Sequence, residues 1–212
     1  MKCGVKCGSL ILFVFIVSLI SLTSLNAQDK QNNTMGMKQG NQKSGQAVPD
    51  WNKKVRVSPK AFVTQTIGLT DVTISYSRPG VKGRKIWGGL VPYNKVWRAG
   101  ANEATKFTFG KDVNVNGHKL TTGSYSFFLI PAKGEWTVIF NKVADQWGAF
   151  EYNEAEDALR FKVKPQSHVM REWLTYNFTD MKVDTKGGVN SAVVNMVWDK
   201  LRLPITIKPV EN

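Results

Sequence analysis

The chain has 212 residues, 42% hydrophobic and 21% charged, a balance that fits a folded globular domain and excludes a disordered chain. Its formal net charge is +13. A surplus of that sign favours anionic partners and solubility, without naming a function.

The first predicted element is a leader. Lys2 and Lys6 precede an apolar stretch from Leu10 to Leu22, and Leu25-Asn26-Ala27 then supplies a small residue at a cleavage position. This order reads as a secretory signal peptide over residues 1–27; the apolar run is shorter than the ~20 residues a spanning helix needs. An uncleaved N-terminal anchor is the alternative. Either way the protein is expected to be exported, to a periplasm or to the outside of the cell, with no transmembrane segment after cleavage. Cys3 and Cys7 both fall in the leader, so the mature chain is cysteine-free. It can form no disulfide, thiolate nucleophile or cysteine-ligated metal site. No cysteine follows the apolar run, which argues against a lipid anchor. Cleavage leaves 27 basic and 16 acidic residues, a net charge of +11. Residues 28–50 are polar, rich in Gln, Asn, Lys and Gly, without apolar periodicity. They read as a disordered polar linker, because such a segment cannot offset its ordering entropy by burial.

Residues 51–212 read as a single domain. Their signal is alternation of period two, the mark of strands with one buried face. Val72, Ile74 and Tyr76 alternate with Thr73, Ser75 and Ser77; Leu159, Phe161 and Val163 with Arg160, Lys162 and Lys164; Leu174, Tyr176 and Phe178 with Trp173, Thr175 and Asn177. Asn116-Gly117 is a hairpin turn signal, and Thr122-Gly123, Pro131–Gly134 and Lys186-Gly187-Gly188 mark further connections. About ten short strands at this spacing predict an all-β fold, an antiparallel β-sandwich or jelly roll, with little helix. One or two helical turns are expected within Lys142–Phe150 and Asn153–Ala158. No helical pattern is long enough to cross over between parallel strands.

One segment, Arg78–Thr105, abandons the alternation. Connections of that length are functional or disordered, and this one is too aromatic for disorder. Arg78, Lys82, Arg84, Arg98, Asn102 and Glu103 are the candidate ligand-binding residues, with Trp87, Tyr93 and Trp97 as apolar walls. Cations beside aromatic faces suit a planar or sugar-like ligand carrying negative charge. The structural alternative is that Arg98 and Glu103 pair under the loop while the aromatic residues plug the open end of the sandwich.

Catalytic motifs are sparse. His118 sits beside a turn and His168 in a loop, and no pair of histidines has metal-ligand spacing, so no metal site and no cofactor are expected. Glu151, Glu154, Glu156 and Asp157 form an acidic run, within which Asp157 has Arg160 three residues on as a partner. The basic residues are not gathered on one helix or on an aromatic sheet platform, which excludes nucleic acid as the expected partner.

Arg78-Pro79, Lys82-Gly83-Arg84, Ile86-Trp87-Gly88, Leu90-Val91-Pro92-Tyr93 and the run from Val96 to Thr105 resemble the signature of the domain of unknown function 2911 family. The likeness continues through Gly123-Ser124-Tyr125, Ile130-Pro131, Glu135-Trp136-Thr137, Asn141-Lys142 and Gln146-Trp147-Gly148 to Glu172 and Trp198, over roughly Ser58 to Ile207. It implies an exported envelope protein of Gram-negative type and no particular activity. Three functions stay open: a non-catalytic module binding an anionic or sugar-like ligand or an envelope partner; a hydrolase of an envelope carbohydrate or ester using Glu103 or Asp157; and a structural or assembly domain without a small ligand. The leader makes the most direct prediction. The exported protein should begin at Gln28, which intact-mass spectrometry checks; a mature chain retaining Met1 contradicts it.

Overall fold

A computed structural model describes residues 55–210; the leader and the whole of the polar linker lie outside the described residues. Ten strands run β1 (Lys60–Ile67), β2 (Thr70–Ser77), β3 (Thr105–Phe109), β4 (Val113–Val115), β5 (His118–Leu120), β6 (Gly123–Ile130), β7 (Trp136–Asn141), β8 (Asp157–Val163), β9 (Gln166–Val183) and β10 (Val189–Pro209). They form a six-stranded sheet in the order β1-β2-β3-β6-β7-β8 and a four-stranded sheet in the order β5-β4-β10-β9. Every pairing between strands is antiparallel. This is the all-β sandwich the alternation predicts.

The sequence explains the turns. Asn116 and Gly117 both take positive φ, 48° and 85°, the backbone that matches the twist of a two-residue hairpin. That turn joins β4 to β5, and Asn116 also accepts the Thr206 amide through Oδ1 at 2.7 Å, tying the hairpin to β10. The only helical element among the described residues is a 3₁₀ turn at Glu154–Glu156, capped by Asn153, whose side chain accepts the Ala155 amide. The turn expected within Lys142–Phe150 does not form. There Ala104 donates its amide to Gln146 and Gly148 donates to Asn102, so the segment runs beside the Arg78–Thr105 connection instead.

Two of the strands are long, not short: β9 spans 18 residues and β10 spans 21. Register shifts interrupt their pairing at four places, which breaks the simple period-two pattern in the sequence.

The core lies between the sheets. Phe107, Phe109, Phe127 and Phe140 from the larger sheet meet Leu174, Tyr176, Met196 and Trp198 from the smaller one. Phe107 has ring contacts with Phe109, Phe127, Phe140 and Tyr176 at centroid distances of 4.7–6.1 Å. A second, small cluster of Ala104, Phe128 and Ile139 is covered by Val96, Ala149 and Tyr152, so β6 and β7 are buried on both faces. Removing the Phe107 ring should therefore leave a cavity with many orphaned contacts. Phe107→Ala is expected to cost about 3–5 kcal/mol in denaturant unfolding, whereas Phe62→Ala, at a residue 65% exposed on β1, should change stability by less than about 0.5 kcal/mol.

Candidate anion-binding cavity

The connection between β2 and β3 has no strand of its own, yet it is pinned along its length. Val81 donates its amide to Glu172 and Leu174 donates to Pro79, which covers part of the edge of β9. Trp97 and Leu129 exchange both backbone hydrogen bonds, at 2.7 and 2.9 Å, extending β6. Arg78 reaches β9 through Nε to the Leu174 carbonyl at 2.9 Å and Nη2 to Thr175 at 2.8 Å.

The tightest constraint is at Ala99. Its carbonyl accepts two hydrogen bonds, from Tyr176 Oη at 2.8 Å and from Thr105 Oγ1 at 3.0 Å. Ala99 itself sits at φ 52°, a left-handed conformation that a residue with a Cβ rarely adopts. Burial raises the Tyr176 hydroxyl well above its usual range, so it stays a proton donor.

This backbone presents Arg98 to a cavity of about 490 Å³. Val57 and Ser58 line it from the segment before β1, Ala149 and Phe150 from the connection after β7, and Trp198 from β10. Lys82, Arg84, Arg98, Leu90, Val91, Val96 and Trp97 complete most of the wall, and among the described residues no carboxylate side chain is part of it. Small-molecule sites span about 300–1,000 Å³, so the size is apt.

Arg98 is partly buried, and its guanidinium has no hydrogen bond or ion pair among the described residues. Its Nε is fully shut away and unpartnered. Burial pushes Arg98 down from the ordinary arginine value, and no counter-charge offsets it; the side chain nonetheless remains a cation. Gly148, at φ 71°, lies against this side chain: a Cβ there would meet Nη1 at 2.9 Å and the Phe150 ring at 2.9 Å.

The expected pairing of Arg98 with Glu103 is not what forms. Glu103 Oε2 instead accepts from Arg56 Nη1 at 2.7 Å. Burial raises the Glu103 carboxyl, but the Arg56 hydrogen bond, its own backbone and the positive charges of Arg56 and Lys60 outweigh that and hold it below the usual range. The pair therefore contributes above the ordinary glutamate range, and its contribution fades as pH falls through the depressed value.

Among the other candidates, Lys82 and Arg84 line the cavity with Trp97 and Arg98. Arg84 has already spent Nε on the Val81 carbonyl and Nη2 on that of Gly80. The Lys82 ammonium lies 5.8 Å over the Trp173 ring. Asn102 holds the Ser58 carbonyl at 3.2 Å. Trp87 is a core residue, in contact with Trp97, Trp136 and Trp198, and Tyr93 packs against the same core; these two act as the plug of the structural alternative. Sequence reasoning missed Val57, Ala149, Phe150 and the buried support from Tyr176. Of these, only Phe150, an aromatic two residues past Gly148, gives a local cue.

Other hollows carry less. One of about 270 Å³ beside Glu103 has its Lys106 and Asp145 paired at 2.8 Å. One of about 510 Å³ at the β9–β10 turn holds Asp184, whose Oδ1 is taken by the Lys186 and Gly188 amides. In the acidic run, Asp157 accepts from Asn141 at 2.8 Å and from Tyr152 at 2.6 Å, and lies 3.3 Å from Arg160. It is a structural anchor between β7 and β8. His118 stacks on Phe161, and His168 contacts the Val169 carbonyl. Among the described residues, no group of three His, Cys, Asp or Glu side chains could hold a metal ion, and no helix is long and apolar enough to cross a membrane.

The family model described as protein of unknown function (DUF2911) matches residues 58–207. The chain belongs to this family. Both the sandwich and the Arg98 cavity lie almost wholly inside the part shared with DUF2911, with Val57 just before it. No curated protein and no solved structure matches the chain.

Tyr176→Phe should remove one of the two bonds to the Ala99 carbonyl and cost about 1 kcal/mol in chemical unfolding. Glu103→Gln should cost less than about 1 kcal/mol, because its pair with Arg56 is exposed; a loss of several kcal/mol would show that Glu103 holds a buried cation instead.

Proposed function

We propose that this DUF2911 protein is an exported, non-catalytic binding module that takes a small anionic ligand in the Arg98 cavity. The carrying observation is a partly buried guanidinium without a partner among the described residues, in a cavity whose described lining holds three cations and no carboxylate. Desolvating a charge is costly unless a partner compensates it, and an incoming anion supplies that partner. The strained Ala99 next to Arg98 fits the same reading, since backbone strain gathers at functional sites. Export is supported by the basic, apolar and small-residue order of residues 1–27.

The hydrolase alternative relies on Glu103 or Asp157 as general acid or base. Both are engaged by protein partners, Glu103 by Arg56 and Asp157 by Asn141, Tyr152 and Arg160. Neither lines the Arg98 cavity.

The test is Arg98→Met, which keeps the length of the stem and removes the charge. Its melting temperature should equal or exceed that of the unsubstituted protein, because an uncompensated cation is removed. In thermal shift titrations with acetate, octanoate, glucuronate, phosphate and sulfate, at least one anion should stabilise the unsubstituted protein and not Arg98→Met. A fall of many degrees in Arg98→Met, with no anion acting through residue 98, contradicts the proposal.

A further inference from the structure

Resting on that reading, the cavity also defines which kind of anion it takes. Its three cations are not equivalent. Arg84 spends Nε and Nη2 on the carbonyls of Val81 and Gly80, at 3.1 and 2.6 Å. Lys82 holds its ammonium over the Trp173 ring, and its amide donates to Glu172 Oε1 at 2.9 Å. Arg98 alone among these three has its whole guanidinium uncommitted among the described residues. Of its nitrogens, only Nε is closed off and unpartnered, which leaves the terminal pair as the fork that meets the cavity.

A planar two-nitrogen fork matches a planar two-oxygen acceptor, and a single fork matches a single negative charge. A tetrahedral dianion has more acceptor oxygens and more charge than one arginine can satisfy, and it gains most from several cations acting together. Apart from Ser58, the remaining side chains of the wall are apolar. Trp97 stacks on Trp198 at 5.8 Å with an interplanar angle of 19°, and Val91, Val96 and Phe150 lie around the same space. Phe150 is 81% exposed, so it offers apolar surface that the described chain leaves largely uncovered. Such a wall gains from apolar contact and offers few partners to the several hydroxyls of a sugar.

We propose that the ligand is a monocarboxylate on an apolar body, its carboxylate on the Arg98 fork and its body against Trp97, Val96 and Phe150. The carboxylate supplies the partner that the partly buried cation lacks, and the body removes apolar wall from water. Free polar anions and neutral amphiphiles each satisfy only one half of the cavity.

The experiment compares ligands that share a tail and differ in head. Calorimetric titration with octanoate, octan-1-ol, octyl phosphate and acetate should rank octanoate first. Arg98→Lys keeps the charge and loses the fork. It should weaken octanoate by about tenfold or more, the scale of one charge-assisted hydrogen bond. Phe150→Ser should weaken octanoate while leaving acetate unchanged. Octyl phosphate binding more tightly than octanoate overturns the carboxylate assignment and leaves the anion reading standing; Arg98→Lys retaining octanoate in full overturns the seating of the carboxylate on the Arg98 fork. Acetate matching octanoate overturns the apolar body alone. Octanoate binding Arg98→Met as well as the unsubstituted protein, with no other anion sensitive to that change, overturns both.

Discussion

The Ala99 carbonyl is the point on which the site depends. It is held by Tyr176 from the four-stranded sheet and by Thr105 from the six-stranded sheet, so one acceptor joins both layers of the sandwich. The Tyr176 amide in turn donates to Tyr76 on β2 at 3.2 Å. A non-glycine residue in the left-handed region costs on the order of 1–3 kcal/mol and persists only where its surroundings over-determine it. Two buried hydroxyls meeting one carbonyl are such surroundings. Their consequence is directional: with Ala99 and Asn102 both at positive φ, the chain between Arg98 and Glu103 folds back on itself. Arg98 then faces one hollow and Glu103 another.

Beneath the cavity the aromatic layer supplies rigidity. Trp87 touches Trp97, Trp136 and Trp198 at 4.6–5.8 Å, and the indole N–H groups of Trp97, Trp136 and Trp198 each find a backbone carbonyl. Large rings locked by hydrogen bonds lose little further freedom when a ligand arrives, which favours binding by pre-organisation. The same layer makes the site apolar enough that an unpaired guanidinium at its rim is under-solvated. The anion binding proposed here and a small cost in stability would thus have one origin.

Much of the fold was legible because one-sided burial writes itself into alternation. Val72, Ile74 and Tyr76 are buried in β2 while Thr73 and Ser75 are less so, as the pattern requires. Asn116-Gly117 located its hairpin because positive φ at two successive residues demands that chemistry. Alternation failed where both faces are covered: in β7, Thr137 and Ile139 are buried along with Val138 and Phe140, because Val96, Ala149 and Tyr152 fold over the outer face. In β9 and β10 it held only over stretches such as Leu174–Phe178 and Leu203–Ile207, because register shifts reset the phase between them. Within the site, the sequence showed which residue types gather but not which pair. Arg98 and Glu103 stand five apart, and proximity in sequence suggested an ion pair. Two left-handed residues between them, invisible in an Ala and an Asn, send the side chains apart. Residues brought in from distant strands, such as Tyr176 and Trp198, carried no local mark of their role.

The central claim is that the Arg98 guanidinium has no protein partner in the unliganded protein. Nitrogen-15 NMR of the arginine side chains, with the Arg98 signal assigned through Arg98→Lys, measures this directly in the unliganded protein. An unpartnered Arg98 should show terminal N–H protons averaged by rotation and exchanging rapidly with water. Four separate, slowly exchanging terminal protons, the signature of a guanidinium forked onto a carboxylate, would contradict it.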